Sequence, residues 1–519
     1  MRYSLLAPLL PVLLLGVSVS GCGDDDPCAG DACPATGGSG GAGAGPAGGA
    51  GGEGGAPAAI CDPALIADGE SVDASCGLFV DPSVVFGNGS RSQPFPTIAE
   101  ALTVGGNTVN IYVCSTSAPV VEATVLGASE HLYGGLSCDT WVRTDNKTEW
   151  SAPENTPVLT LDSTTGVVVD GFAIHAASAT GTVDGKQGNS SIAILAQDAV
   201  ATLSNLEVVA GAGADGAAGM GTSGQANGRQ SDAASFDGNA GAACNVGAGG
   251  GGDAKTFTCG ANDMTTGGIG GDGGMLNGGS GQSGAPDIGL GEPDGSGGVG
   301  EDNSLAWSCA TTGGGQIGHA GKVGVFGAGG TSEAQWTTDG YVGSSGGDGA
   351  PGKSGQGGGG GGGRRTSALC LQSGAAGGSG GAGGCGGLAG TGGGAGGASI
   401  ALVSLDSTLL LSGVTLTAQM GGAGGVGGDA QLGGDGGLGG LSAGDGCVGG
   451  DGGKGGIGGT GGGGAGGPSY GVAYRGDLPV VDEAAITVAA QTAAGGNGGL
   501  DNLQGNAGAH GTNEKTFGF

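Results

Sequence analysis

The hexapeptide VDGFAI at residues 169–174 has three further copies in the chain, LSNLEV at 203–208, LSGVTL at 411–416 and VDEAAI at 481–486. Each copy reads as an apolar residue, two corner residues, an apolar residue, a small or polar residue and a final apolar residue. The second corner position holds Gly171, Asn205 and Gly413, residue types that tolerate a left-handed backbone conformation. Glu483 departs from this rule in the fourth copy. The pattern predicts a strand, a two-residue corner and a second strand, repeated along the chain.

A further apolar position lies nine residues before each of the last three copies, at Ile194, Leu402 and Val472. A single unit of this kind cannot bury its apolar face alone, so the units must stack on one another as in a β-solenoid. Asp170 and Asp482 share the first corner position, which indicates a role in turn formation rather than in catalysis.

The region from residue 61 to residue 210 has an ordinary composition and predicts its own elements. In PFPTIAEAL, Thr97 and Glu100 have the spacing of a capping box before a short helix with Ile98, Ala101 and Leu102 on its apolar face. In TVNIYVC, the alternation of Val109, Ile111 and Val113 predicts a half-buried strand. EHLYGG at 130–135 predicts a second strand that ends at a glycine turn.

These segments, together with CGLFVDPS, LYGGLSCDTW and VVVDGFAI, resemble the opening coils of pectin-lyase-like right-handed parallel β-helices. The overall likeness is to glycine-rich surface lipoproteins of the myxobacterial type, and the glycine blocks resemble polymorphic glycine-rich repeats. The resemblance implies an all-β fold in which one right-handed parallel β-helix is interrupted by long glycine-rich inserts.

Glycine accounts for 138 of 519 residues, and much of it forms GGX triplets such as those after Gly421. A period of three is that of the polyproline II helix, so the inserts are predicted either to form a polyglycine-II-like layer or to remain disordered. Glycine blocks begin at Gly211, Gly421 and Gly495, each just after the second strand of a repeat. All three are therefore predicted to leave the solenoid at one corner.

The N-terminus predicts export. Arg2 precedes an apolar run from Leu5 to Val17, which is too short to span a membrane, and VSGC at 19–22 has the form of a lipobox. Cys22 is the predicted lipidation site, with a plain secretory peptide cleaved near Gly21 as the alternative. The predicted organisation is a signal peptide at 1–21, a lipidated glycine-rich tether at 22–60, the β-helix cap and first coils at 61–210, a glycine-rich insert at 211–398, a rung at 399–420, a second insert at 421–468, a rung at 469–494 and a glycine-rich tail at 495–519.

Thirteen cysteines in an exported chain indicate disulfides, and lipidation of Cys22 leaves an even number. The short-range pairs suggested by spacing are Cys28–Cys33, Cys61–Cys76, Cys114–Cys138 and Cys244–Cys259. The remaining candidates are Cys309, Cys370, Cys385 and Cys447. Because the first insert holds five cysteines and the second holds only Cys447, Cys447 is predicted to bond to a cysteine of the first insert, with Cys385 preferred.

The net charge of −32 argues against nucleic acid and anionic lipid as partners. GDGAPGKS at 347–354 matches a phosphate loop, but the glycine run that follows cannot form the required helix, so nucleotide binding is not predicted. GGIGGD at 267–272 and GGVGGD at 424–429 match only the start of a calcium-binding nonapeptide, and their aspartates, Asp272 and Asp429, are predicted to be solvated. No cofactor or metal is predicted.

The basic residues of the solenoid (Arg91, Arg143, Lys147, Lys186 and Arg475) show no clustering in sequence, and His175 is predicted to be packed or at the surface rather than catalytic. The predicted function is therefore that of a non-enzymatic cell-envelope lipoprotein, lipid-anchored at the outer membrane or cell surface. Its role would be structural or adhesive, or the binding of an extracellular glycan or protein. The alternative is a polysaccharide lyase or glycoside hydrolase on a degenerate β-helix.

Overall fold

Three six-stranded parallel sheets surround one apolar core in the computed structural model, and from residue 110 to residue 475 the chain visits them in the same cyclic order. The structure describes residues 60–106, 109–127, 129–222, 233–245, 249–260, 263–288, 295–303, 306–332, 335–337, 340–482, 485–499 and 506–519. The predicted signal peptide, Cys22, the tether, Cys28 and Cys33 lie outside these residues.

The strands of each sheet are short and run parallel to their neighbours. Sheet 1 contains Leu78–Val80, Asn110–Cys114, His131–Leu136, Thr165–Asp170, Val200–Ser204 and Thr408–Ser412. Sheet 2 contains Val120–Val121, Thr148–Ser151, Phe172–His175, Glu207–Ala210, Thr415–Ala418 and Ile486–Thr487. Sheet 3 contains Thr124–Leu126, Leu159–Asp162, Ser191–Gln197, Ser399–Leu405, Ser469–Arg475 and Asn513–Gly518.

The repeat register predicted from the sequence is confirmed. Val169 pairs with Leu203 and Leu203 with Leu411, while Ile174 pairs with Val208 and Val208 with Leu416. The fourth copy joins through Leu416 and Ile486. Ile194, Leu402 and Val472 are in register on sheet 3 and fully buried.

The corner between sheets 1 and 2 also has the predicted conformation. The φ angles of Gly171, Asn205 and Gly413 are 82°, 49° and 63°. A left-handed residue turns the chain by a sharp angle without a longer loop, so the same core-facing pattern can resume on the next strand. Glu483 lies outside the described residues.

A short helix, Ile98–Gly105, packs against the first strands, with Ile98 and Ala101 buried. Thr97 Oγ1 accepts a hydrogen bond from the Glu100 backbone N–H, as a helix cap requires. The second cap was not predicted. It comes from Glu122, whose carboxylate accepts hydrogen bonds from the backbone N–H groups of Ile98 (2.7 Å) and Ala99 (3.2 Å).

The prediction of a half-buried strand at 109–113 was wrong in one respect, because both of its faces are buried. Ile111 and Val113 face the main core, whereas Tyr112 packs in a second cluster with Phe79, Tyr133 and Trp141. The N-terminal segment covers this outer face and is held there by the Cys61–Cys76 disulfide and by the hydrogen bond from the Tyr112 hydroxyl to Cys61 O.

All three glycine-rich blocks leave from sheet 2 and return to sheet 3. The exits follow Glu207–Ala210, Thr415–Ala418 and Ile486–Thr487, which are neighbours in sheet 2, so the prediction of one shared corner is confirmed. The last block was predicted as a glycine-rich tail. Its final residues instead form the strand Asn513–Gly518, which pairs with Ser469–Arg475.

The inserts form an ordered array of extended segments, here called the glycine array, joined by backbone hydrogen bonds every third residue. Gly422, Gly425 and Gly428 donate to the carbonyls of residues 397, 394 and 391, and the series continues to residue 440. Further series join the 344–364, 373–398 and 447–468 segments to one another. The 373–398 segment lies inside the array, and nearly all of it is buried.

Short regular elements interrupt the first insert. They are the 3-10 helix Ala233–Phe236, the π-helical turn Cys309–Gly313 and two antiparallel hairpins, Thr256–Gly260 with Asp263–Thr266 and Gln335–Thr337 with Gly340–Val342. The second hairpin places Trp336 and Tyr341 against the outer face of sheet 3, beside Tyr470 and Phe517. A third hairpin, Thr182–Val183 with Gln187–Gly188, lies between sheets 2 and 3.

Candidate functional site

Most side chains that point into the glycine array are small, and the exceptions Gln356 and Gln431 are buried with their amides hydrogen-bonded to backbone groups. A Cβ atom built at Gly358 would lie 2.0 Å from Gly450 O, and one at Gly384 would lie 2.0 Å from Gly434 O. Interior third positions of the triplets hold small residues such as Ser379, Ala382 and Cys385, which are fully buried. Large third residues therefore mark the perimeter of the array.

One edge of the array consists of three neighbouring segments, 313–330, 447–468 and 421–441. The first two run parallel, with Gly318 N donating to Asp451 O and Gly324 N to Ile457 O. The third runs antiparallel to 447–468, with Gly452 N donating to Gly437 O. Third residues on these segments consequently stand in rows, about 9 Å apart along each segment at the 3.1 Å rise of the polyproline II helix.

The rows along this edge are mainly apolar. We call the surface the apolar edge, and it consists of Ile317, Val323, Phe326, Leu432, Leu438, Leu441, Val448 and Ile457. Seven of these side chains are 44% to 72% exposed, and Ile457 is half-buried. A contiguous row of exposed aliphatic side chains on a monomeric surface is typical of an interaction site.

Three charged side chains cross the middle of the apolar edge. Lys454 Nζ lies 3.3 Å from Asp435 Oδ1, and Asp451 Oδ1 accepts a 2.8 Å hydrogen bond from the Gly439 backbone N–H. Both partners of the ion pair are more than half exposed, so its own contribution to stability is small. The ion pair instead fixes the positions of the Lys454 and Asp435 charges between the apolar rows.

The structure shows why the array stops at this edge. The segment that begins at Asn506 joins the array through hydrogen bonds from Gly463 N to Asn506 O and from Ala509 N to Gly330 O. It approaches beside Gly329, where a Cβ atom would lie 1.9 Å from Ala507 O. Three and six residues earlier in the same row, Phe326 and Val323 replace that glycine. Their side chains line a groove of about 70 Å³ with Thr460 and Asn506, so in the described part of the chain they occupy the place that backbone takes beside Gly329.

The sequence patterns that suggested ligand binding have other roles here. Residues 347–354 are an extended part of the array without the strand and helix of a phosphate loop, and Ser354 is buried. Asp272 Oδ1 accepts a hydrogen bond from the Gly251 backbone N–H at 2.8 Å. Among the described residues, the one close group of possible metal ligands is Asp81 with Cys114 and Cys138, and those two cysteines form a disulfide.

Three basic residues of the sheet region have separate partners. Arg143 and Asp170 form an ion pair in a cavity of about 640 Å³ at the corner of sheet 1, where the Ser204 hydroxyl donates to Asp170 Oδ1 at 2.7 Å. Arg91 donates to Thr140 O, and Arg475 donates to Asp406 Oδ2 with both Nε and Nη2. Asp170 is therefore held as a corner residue, as its position in the repeat predicts.

A second polar surface lies on the outer face of sheet 2. Glu149 and Glu207 both pair with Ala173 and thus stand on alternate circuits of the chain, about 10 Å apart at the usual strand spacing. His175 Nδ1 is 3.4 Å from Glu149 Oε2. The two glutamates line a cleft of about 660 Å³ together with Lys147 and Asp145. The sequence singled out His175 but not these glutamates.

Five disulfides join described cysteines. Cys61–Cys76 and Cys114–Cys138 are confirmed, as is a bond from Cys447 to the first insert. Two finer predictions were wrong. Cys244 and Cys259 bond to Cys370 and Cys385 instead of to each other, and Cys447 bonds to Cys309 instead of to Cys385. The array places neighbouring segments in contact regardless of their distance in sequence.

No protein-family model, curated protein or solved structure matches this chain. Among the described residues, no helix has the length and hydropathy needed to cross a membrane.

Proposed function

We propose that the chain is a lipid-anchored protein of the bacterial envelope with a structural or adhesive role, and that it contacts other molecules through the apolar edge. The exposed apolar rows are the observation that carries this proposal, because such rows in water are costly unless a partner covers them. The lipobox at 19–22 and the five disulfides support export to an oxidising compartment.

In this proposal, the three sheets form a right-handed parallel β-helix that serves as a rigid support. The repeat register, the cyclic order of the sheets and the left-handed corner residues support that architecture. The glycine array is proposed to consist of polyglycine-II-like helices, which the three-residue hydrogen-bond period supports. Both parts hold the apolar edge in one conformation, so little entropy is lost when it binds.

The test uses the full chain with its own leader in a bacterium that matures lipoproteins. We expect lipid labelling and recovery in the membrane fraction, and Cys22→Ser should abolish both. On intact cells, Phe326→Asp with Leu438→Asp should leave the displayed amount unchanged and reduce attachment to envelope material of neighbouring cells. Thr415→Asp, which is exposed on sheet 2, is the matched control. Unaltered attachment of the double variant would overturn the role of the apolar edge.

A second candidate function is supported by Glu149 and Glu207. Two carboxylates separated by about 6.5–9.5 Å are typical of inverting glycoside hydrolases, and the pair here stands just beyond that range. Incubation of the purified chain with a panel of polysaccharides tests this possibility. Release of reducing ends that is lost in both Glu149→Gln and Glu207→Gln would support an enzyme. Release that persists in both variants, or no release at all, would reject it.

A further inference from the structure

We propose that the apolar edge binds the same edge of a second copy of this chain, with the two 447–468 segments antiparallel and facing each other. This inference rests on the proposed function, because it names the partner of the edge described above. The third residues along this segment are Val448, Asp451, Lys454 and Ile457, in that order, and the first three are exposed while Ile457 is half-buried. The order along the segment is apolar, acidic, basic, apolar. In an antiparallel copy the order is apolar, basic, acidic, apolar, so each acidic position meets a basic one and each apolar position meets an apolar one.

The facing arrangement follows from a twofold axis that lies across the segment, midway between residues 451 and 454. Residue i then faces residue 905 − i of the other copy, so Asp451 faces Lys454 and Val448 faces Ile457. Isologous contacts of this kind are the commonest basis of homodimers. Every charge on the central row thereby meets an opposite charge, and every aliphatic side chain meets another.

The two flanking segments fit the same axis. On the 421–441 segment, Leu432 lies beside Ile457 and Leu441 lies beside Val448, since Gly458 N donates to Gln431 O and Gly449 N donates to Gly440 O. Leu432 of one copy therefore faces Leu441 of the other, and Leu438 faces Asp435, whose charge is paired with Lys454 of its own chain. On the 313–330 segment, Gly318 N donates to Asp451 O and Gly324 N to Ile457 O, so the axis brings Ile317 close to Val323 of the other copy.

The net charge disfavours an anionic membrane as the partner, and its effect on a second copy depends on distance. The net charge of −32 repels anionic lipid and opposes self-association at long range. Beyond about 8 Å this repulsion is screened at physiological salt, whereas the facing Asp and Lys side chains are in contact. We therefore expect association to strengthen as salt rises from low to physiological concentration.

Size predicts the strength of this contact. Residues 448 to 457 span about 28 Å at 3.1 Å per residue, and three segments abreast make a surface at the small end of specific interfaces. We expect association near micromolar concentration or weaker in solution. Anchoring both copies to a surface raises their effective concentration and favours the dimer there.

The test is a charge exchange between two variants of the secreted full chain, both carrying Cys22→Ser so that lipid does not contribute. Lys454→Asp makes both central charges negative, and Asp451→Lys makes both positive. By sedimentation equilibrium, each variant alone should associate more than about tenfold more weakly than the parent chain, because like charges face each other. An equimolar mixture of the two should recover association, because each Asp again faces a Lys.

Lys186→Asp, on the Thr182–Val183 hairpin, is the control and should associate like the parent chain. A parent chain that remains monomeric, or a mixture that associates no better than its components, would overturn the self-association. If that happens while Phe326→Asp with Leu438→Asp still reduces attachment on cells, the proposed function stands and the partner is a different molecule. Unchanged attachment together with a monomeric parent chain would reject both.

Discussion

The sheets and the glycine array order the backbone in opposite ways. In the sheet region, large side chains such as Ile194, Leu402 and Val472 fill the space enclosed by the three sheets and are fully buried. In the array, the space is filled by the neighbouring backbone itself, and Gly358 or Gly384 has no room for even a methyl group. A packed interior can therefore be filled either by apolar side chains or by closely spaced backbone segments that lack side chains. In both cases the backbone N–H and C=O groups must be paired.

The two regions also differ in how they are cross-linked. The described disulfides of the N-terminal region close short separations, 15 residues for Cys61–Cys76 and 24 for Cys114–Cys138. Those of the array close separations of 126, 126 and 138 residues. Ordering glycine costs more conformational entropy than ordering any other residue, and a cross-link over a longer loop removes more of that entropy from the unfolded chain. The array needs long-range disulfides where the sheets rely on apolar burial.

The largest expected effect is a charge in the core of the sheets. Leu206 is fully buried, so Leu206→Asp should lower the free energy of unfolding by on the order of 5 kcal/mol, through lost packing and an unpaired carboxylate. Thr415→Asp, on an exposed position of sheet 2, should change it by less than about 0.5 kcal/mol. Urea unfolding followed by circular dichroism measures both. Equal losses of unfolding free energy in the two variants would contradict the repeat register, in which Leu206 faces the core and Thr415 faces solvent.

Removal of one disulfide of the glycine array tests whether its long-range cross-links contribute more to stability than the short-range ones of the sheet region. The double substitution Cys259→Ser with Cys385→Ser should cost about 5 kcal/mol in the chain-entropy model, against about 3 kcal/mol for Cys61→Ser with Cys76→Ser. Limited proteolysis should then show early cleavage within residues 249–288 in the first variant, with the sheets intact. The interpretation fails if the short-range pair proves the more costly to remove.

A single methyl group in the array should have a smaller but local effect. Gly384→Ala places Cβ 2.0 Å from Gly434 O and forces two segments apart, which should cost about 1–3 kcal/mol. Leu438→Ala, at an exposed third position only a few residues along, should change stability by less than about 0.5 kcal/mol. Hydrogen exchange of the backbone amides at 384–390 and 434–440 reports the separation directly. Amides that remain as protected as in the parent chain would contradict close packing.

The smallest effect concerns pH and the helix cap of the sheet region. Burial raises the pKa of Glu122 above its ordinary value of 4.5, although hydrogen bonds from Ile98 and Ala99 oppose the rise. The folded state therefore binds more protons than the unfolded state just above pH 4.5, so stability should fall as pH rises through that window. Glu122→Gln should flatten this part of the stability profile. A profile that is identical in the variant would assign the slope to other groups.

Much of the sheet region was predictable because its information is local. Val169, Leu203 and Leu411 each begin a copy of the same six-residue pattern with the same internal spacing, and a shift of one residue would turn every apolar side chain outward. The same spacing places Gly171, Asn205 and Gly413 at the corner, and it predicts that the three inserts leave together. What it missed was the burial of Tyr112 on the outer face, because the covering residues come from a segment with no periodic pattern.

In the glycine array, the sequence by itself determined that the segments have a period of three. Only the tertiary structure decided which segments are neighbours. One GGX triplet offers the same backbone donors and acceptors as any other, so nothing local distinguishes Cys370 or Cys385 as the partner of Cys259, or identifies Cys309 as the partner of Cys447. The apolar edge arises for the same reason. Val323, Leu438 and Val448 lie far apart in the sequence, and they form one surface because the backbone of the array brings their segments side by side.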